Sequence, residues 1–162
     1  MDLFSALVPI LTQPAGAAAT LQGGETHPDI RGVVRFYQTA QGVLVAADVE
    51  GLPSPTAACI SPIFAFHIHS GGTCSGNFAD VGSHYNPGNC PHPYHAGDLP
   101  PLFGCDGRAF LVVLTDRFTL AEIIGKTVIL HDDPDDFTTQ PAGNAGEKLA
   151  CGVIRSLVSQ RP

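Results

Sequence analysis

The stretch Phe64-Ala65-Phe66-His67-Ile68-His69 decides how this chain folds. Strand geometry alternates side chains between two faces, so Phe64, Phe66 and Ile68 share one face while Ala65, His67 and His69 share the other. An apolar face of this kind needs a core to cover it. The opposite face carries two imidazoles about 6–7 Å apart along the strand, near enough to bend toward one ion. A His-x-His pair taken alone reads more readily as two partly buried histidines hydrogen-bonded to backbone, so the rest of the chain has to choose between these readings.

Similar alternation recurs on both sides. Residues 17–22, 30–37 and 43–49 read as strands, the last two joined through a break at residues 38–42 that signals a hairpin. Downstream, residues 107–114, 126–131 and 150–158 read the same way. One turn of helix is expected at residues 119–124, where Thr119 supplies a cap and Glu122 follows three positions later. Regularly spaced strands with almost no helix predict an all-β fold, a β-sandwich or barrel. No internal repeat is visible.

The 162 residues fit a single domain, with residues 1–15 read as a loosely attached arm and residues 16–162 as the body. Charged residues make up 14% and apolar residues 44%, which excludes charge-driven disorder, and 18 glycines with 14 prolines imply many turns. A net charge of −7 without any Lys/Arg cluster argues against nucleic acid and against anionic membrane surfaces. The longest apolar run, residues 109–114, is far short of the roughly 18–20 residues of a spanning helix. The start carries Asp2 where a secretory leader carries Lys or Arg, and Pro9 interrupts it, so no leader is expected and the cytoplasm is the expected compartment.

Residues 70–107 break the strand pattern with eight glycines, five prolines and three cysteines. A structureless loop of that length in a compact domain must be functional or internally tethered. It holds His84, His92, His95 and Asp98 at spacings of eight, three and three. Three nitrogens and one oxygen suit tetrahedral zinc; a polar loop whose histidines face solvent is the plainer alternative. His131, at the end of its strand, could approach His67 and His69 from a neighbouring strand, or be satisfied by the carboxylates that follow it. Six histidines and Asp98 offer seven donors, one fewer than two closed four-coordinate sites require. Only a histidine can present a separate nitrogen to each of two ions, and His84 lies between the strand pair and the loop set.

Five ordered blocks carry these residues: Phe66-His67-Ile68-His69, Gly82-Ser83-His84-Tyr85-Asn86-Pro87, His95-Ala96-Gly97-Asp98-Leu99-Pro100, residues 125–131 ending in His131, and residues 143–154 containing Lys148 and Cys151. Together they resemble the copper/zinc superoxide dismutase family over about residues 17–154. The resemblance implies a Greek-key, immunoglobulin-like β-sandwich or flattened barrel with long metal-binding loops. It implies copper bound by His67, His69, His84 and His131, and zinc bound by His84, His92, His95 and Asp98, with His84 as the bridge. Superoxide would be converted to oxygen and hydrogen peroxide by Cu(II)/Cu(I) cycling, His84 leaving copper to take up a proton. Asp135 matches the family's carboxylate that links a copper histidine, His67, with a zinc histidine, His92.

Lys148 stands where most members of that family carry an arginine beside copper. Lysine keeps the charge that attracts an anion but lacks the planar fork that positions it. Lys126 and Arg117 are either further members of a positive patch around copper or ordinary surface charges. The zinc segment between His92 and His95 is shorter than is usual in the family. The non-catalytic alternatives are a copper/zinc-binding relative, a copper-delivery module or a zinc-stapled interaction domain. Subunit arrangement varies within the family, so a homodimer is one open arrangement.

The resemblance also implies a disulfide between Cys74 and Cys151. Cys90 and Cys105 bracket His92, His95 and Asp98, and form either a second disulfide or two free thiols. Cys59, in an apolar stretch, reads as a buried free thiol. Disulfides favour an oxidising compartment and so pull against the cytoplasm, although the family is known for keeping its disulfide in reducing cytosol.

Overall fold

A computed structural model describes residues 2–54 and 62–157. Eight strands form where apolar side chains alternate: β1 (Ala17–Gly23), β2 (Arg31–Thr39), β3 (Gly42–Glu50), β4 (Ile63–His69), β5 (Asp98–Phe103), β6 (Arg108–Thr115), β7 (Thr127–His131) and β8 (Lys148–Ser156). They hydrogen-bond in the order β5-β4-β7-β8-β1-β2-β3-β6, and every pairing is antiparallel. The sheet curls into a nearly closed barrel, and the all-β expectation holds. Its terminal strands β5 and β6 approach one another without pairing.

The alternation read in β4 is the alternation observed. Phe64, Phe66 and Ile68 enter the core with Leu21, Phe36 and Leu130, while His67 and His69 are buried on the opposite side of the strand. Each large apolar side chain removed from water contributes about 1.5–3 kcal/mol, and that pins which face of β4 turns inward. The expected helical turn is α2 (Leu120–Ile123), where Thr119 N and Oγ1 each donate to Glu122 Oε2 at 2.7 Å.

Two segments differ from the sequence expectation. β5 carries Pro100 and Pro101, which supply no N–H, and so has no strand signature. It is tolerated because it lies at the end of the sheet, pairing with β4 alone across a register shift. The stretch 1–15, expected as a loose arm, is folded over its described residues 2–15: α1 (Leu3–Leu7), capped by Asp2, leads into a 3-10 turn (Val8–Thr12). Leu7, Ile10 and Leu11 pack on Tyr37, Leu44, Ala46, Val112 and Leu114, on the outer face of the barrel. Cys59 and the residues beyond 157 expected in the last strand lie outside the described residues.

The long loop is tethered at many points. Ser70 N donates to Ser83 O, Gly71 N to Val81 O, Tyr85 N to Ile68 O and Gly97 N to Tyr85 O, all within 2.7–2.8 Å. Gly97 is required where it stands, because a Cβ there would overlap the Ile68 carbonyl and come within 3.0 Å of Tyr85 N. The loop is thereby held along β4.

Candidate metal centre

Sheet order explains why distant histidines meet. β4 lies between β5 and β7, and in register His67 faces Asp98 on one side and Ile129 on the other. His131, two residues after Ile129, therefore shares the face of His67 and His69. The loop adds His84 opposite His69 through an isolated bridge, and the centres of the His67 and His84 rings lie 4.0 Å apart. Two buried groups result, His67/His69/His84/His131 and His84/His92/His95/Asp98, each with its donor atoms within 4.8 Å of one another. His84 belongs to both.

The hydrogen bonds fix which nitrogen of each ring is free. Burial raises the Asp135 carboxyl, but bonds from His67, the Phe137 amide and His92 outweigh it and hold the pKa at about 2. An ionised carboxylate only accepts, so His67 Nε2 donates to Asp135 Oδ2 (2.8 Å) and His92 Nε2 donates to Asp135 Oδ1 (2.8 Å). Their Nδ1 atoms are left with lone pairs. His69 Nδ1 donates to the Gly82 carbonyl at 2.9 Å, and His131 Nδ1 lies 3.5 Å from the Gly146 carbonyl. Both Nε2 atoms then face one another at 3.3 Å, two lone pairs in an arrangement that a cation between them would make favourable.

The electrostatics keep these rings neutral. Burial first, then the neighbouring imidazoles, lowers His131 to about 2; burial first, with His84, His67 and Lys148 adding to it, lowers His69 to about 3. His67 is lowered as well, chiefly by burial. Asp98 is raised by burial, yet its bond to His84 and its electrostatic contact with the imidazoles of His84, His92 and His95 bring it below the ordinary carboxylate range. Neutral imidazoles and ionised carboxylates are the forms that bind metal.

The donors left over make the case specific. His67 Nδ1, His84 Nε2, His92 Nδ1 and His95 Nδ1 are buried without a hydrogen-bond partner among the described residues. Desolvating that many polar atoms unpaired is costly. Around Asp98 Oδ2, His92 Nδ1 lies at 3.1 Å and His95 Nδ1 at 3.3 Å, while His84 Nδ1 is 2.7 Å from Oδ1. Four imidazoles suit copper, and three imidazoles with one carboxylate suit zinc. The donor sets fit those ions.

A cleft of about 420 Å³ opens beside His69, His84 and His131, and among the described residues Lys148 is the one Lys or Arg that lines it. The other two candidate cations are engaged elsewhere. Lys126 Nζ sits 4.4 Å from the centre of the Tyr85 ring, and Arg117 donates to carbonyls of the zinc segment. A larger cleft, about 560 Å³ beside Cys74 and Cys151, contains none of the metal-ligating groups.

Cys74 and Cys151 are bonded across 77 residues, tying the loop to β8. Of the two alternatives for Cys90 and Cys105, the structure has the two free thiols, both exposed, and no second disulfide between them. Cys90 is clasped by Asn86, which donates to Cys90 O and accepts from Cys90 N, at the Asp98 end of β5. Cys105 follows the far end of that six-residue strand, which spans roughly 17–20 Å, whereas bridged Cα atoms lie within about 7 Å. Extended β5, unread in the sequence, is what separates them.

No helix of the described residues is long and apolar enough to cross a membrane. Residues 30–154 match the family model for copper/zinc superoxide dismutase (SODC). Superoxide dismutase [Cu-Zn] 2 of Aquifex aeolicus is 34% identical over 146 residues, covering 80% of this chain and 82% of that protein. Superoxide dismutase [Cu-Zn] of Legionella pneumophila is 33% identical over 132 residues, covering 76% and 77%. The human copper chaperone for superoxide dismutase is 30% identical over 156 residues, which cover 88% of this chain but 54% of that protein. In structure, the clock protein EA4 superposes with a TM-score of 0.75 at 31% identity, covering 90% of this chain and 97% of that one. Fold, donor sets and relatives agree, and the chain belongs to the copper/zinc superoxide dismutase family.

Proposed function

We propose that the protein is a superoxide dismutase, with copper held by His67, His69, His84 and His131, and zinc by His84, His92, His95 and Asp98. The observation that carries this reading is His84, buried, common to both groups, with Nδ1 at Asp98 and Nε2 unpartnered beside the copper group. Copper, when bound, supplies one-electron exchange with superoxide, whereas zinc supplies charge and shape without redox chemistry.

The chain's own residues do the rest. Lys148 places a positive charge at the cleft of a protein whose net charge is −7, and so draws in a small anion that the molecule as a whole repels. His84 is anchored at its Asp98 end, which leaves Nε2 as the atom that takes a proton and hands it into the cleft. Asp135 holds His67 and His92 in the tautomers that aim their Nδ1 atoms at the two groups. Protein loaded with both metals should remove superoxide, and His131→Ala, which deletes a copper donor, should not. Loaded wild-type protein no more active than the variant would refute the reading.

The human chaperone among the relatives favours a second reading, a copper-delivery module. It predicts a loaded protein that passes copper to a metal-free acceptor and removes little superoxide by itself. The cytoplasm stays our proposed compartment, against the pull of the Cys74–Cys151 disulfide.

A further inference from the structure

Between His92 and His95 the chain has two residues, Pro93 and Tyr94, and its own bonds build two separate turns, Tyr94 N donating to Pro91 O (2.9 Å) and Asp98 N to His95 O (3.2 Å), with His95 N also donating to Asp98 Oδ2 (3.0 Å). Side chains from two other segments tie these turns together and to the rest of the molecule. Arg117, between β6 and α2, directs Nη1 at three carbonyls at once: Pro93 O (3.2 Å), His95 O (3.3 Å) and Asp98 O (3.1 Å). One Nη1 carries two hydrogens, so the carbonyls share them. Three carbonyl oxygens converging on one point repel each other unless a cation sits there. Gln140, from the loop between β7 and β8, makes a two-point clasp on the His92 peptide unit. Its Oε1 accepts from His92 N at 2.9 Å, and its Nε2 donates to His92 O at 2.7 Å. With Asp135 on the ring, His92 is fixed at backbone and imidazole from the same loop.

We infer that Arg117 and Gln140 are positioning residues for zinc: they lock the two turns of the short His92–Asp98 segment against each other and against the neighbouring loop, and so hold it in its ligating shape. The inference rests on the proposed reading of His84, His92, His95 and Asp98 as zinc ligands. The rival is a plain structural role. Arg117 lies at the seam where β5 and β6 leave the sheet unpaired, beside a cleft of about 340 Å³ lined by Pro93, Pro100, Val113 and Phe137, and could simply close it.

The test uses full-length protein loaded with copper and zinc, and reads zinc release to a chromogenic chelator. Cobalt(II) in the zinc position reports geometry through its visible bands. Arg117→Ala and Gln140→Ala should each release zinc about tenfold faster, in the range for contacts that orient ligands, and should shift the cobalt bands. Arg117→Lys, whose ammonium also donates to clustered carbonyls, should recover most of the slow release. An Ile154→Val core variant of matched metal-free stability should release zinc at the wild-type rate. Unchanged release and cobalt bands in both alanine variants would overturn the inference while leaving the zinc reading intact, and so would equal acceleration in the core variant. If Arg117→Ala fails to fold, Gln140→Ala decides alone. Wild-type protein that takes up no zinc overturns both the site reading and the inference.

Discussion

Gly143→Ala should loosen both metals from a position that ligates neither. Gly143 has φ +69°, where an L side chain costs about 1 kcal/mol or more. A Cβ built there overlaps Asp135 Oδ1 and comes within 2.6 Å of His92 Nε2. Those two atoms form one of the bonds that fix the histidine tautomers, so the carboxylate must move off His92 and drag its other oxygen from His67. Each charge-assisted bond lost is worth about 1.5–3 kcal/mol, so losing both, with the backbone cost, should take about 4–7 kcal/mol from the metal-free protein in urea unfolding. Metal affinity should fall ~10- to 100-fold, read by competition with chelators for copper and zinc separately. Asp135→Asn is the comparator, because it removes the charge without the clash. If the alanine acts through Asp135, the double variant should be little worse than either single one. A Gly143→Ala protein that binds both metals as tightly as wild type, or effects that simply add, would refute the reasoning.

Acid should unfold the metal-free protein early. His69 and His131 sit at about 3 and about 2 in the folded chain against an ordinary 6.5, so below pH 6.5 the unfolded chain binds two more protons. Stability then falls, approaching about 2.7 kcal/mol per pH unit between about pH 5.5 and pH 3, and urea unfolding at pH 7, 6 and 5 should show a slope that steepens toward that value rather than a flat profile. Asp135 adds a contribution that is present above the usual carboxylate range and lost as pH falls through about 2. Lys148→Met should slow superoxide removal about tenfold and flatten its dependence on ionic strength, while Lys148→Arg should not slow it; equal rates for Lys148→Met and wild type would remove the lysine from the mechanism. Cys74→Ser should cost about 2–4 kcal/mol in urea unfolding, since the bridge closes a long loop.

The sequence made the donors legible because strand alternation is a strict constraint. Once Phe64, Phe66 and Ile68 are inward, His67 and His69 have one face left, and His131 meets them from the adjacent strand. The loop ligands were legible by residue type and spacing. What hid was everything carried by geometry without periodicity. β5 was masked by Pro100 and Pro101, and with it the distance that keeps Cys90 from Cys105. Leu7, Ile10 and Leu11 have helical spacing, but over so few turns that only docking on Tyr37 and Leu44 reveals their role. Arg117 and Gln140 act on backbone atoms far away in sequence, and neither residue type signals such a contact. Gly143 reads as an ordinary turn glycine until the position of Asp135 is known.

Anomalous diffraction at the copper and zinc edges, from crystals of the doubly loaded protein, tests the shared imidazole most directly. The account predicts one copper peak among His67, His69, His84 and His131, one zinc peak among His84, His92, His95 and Asp98, and the His84 ring between them. A single peak, or two peaks of which only one lies against His84, would contradict it.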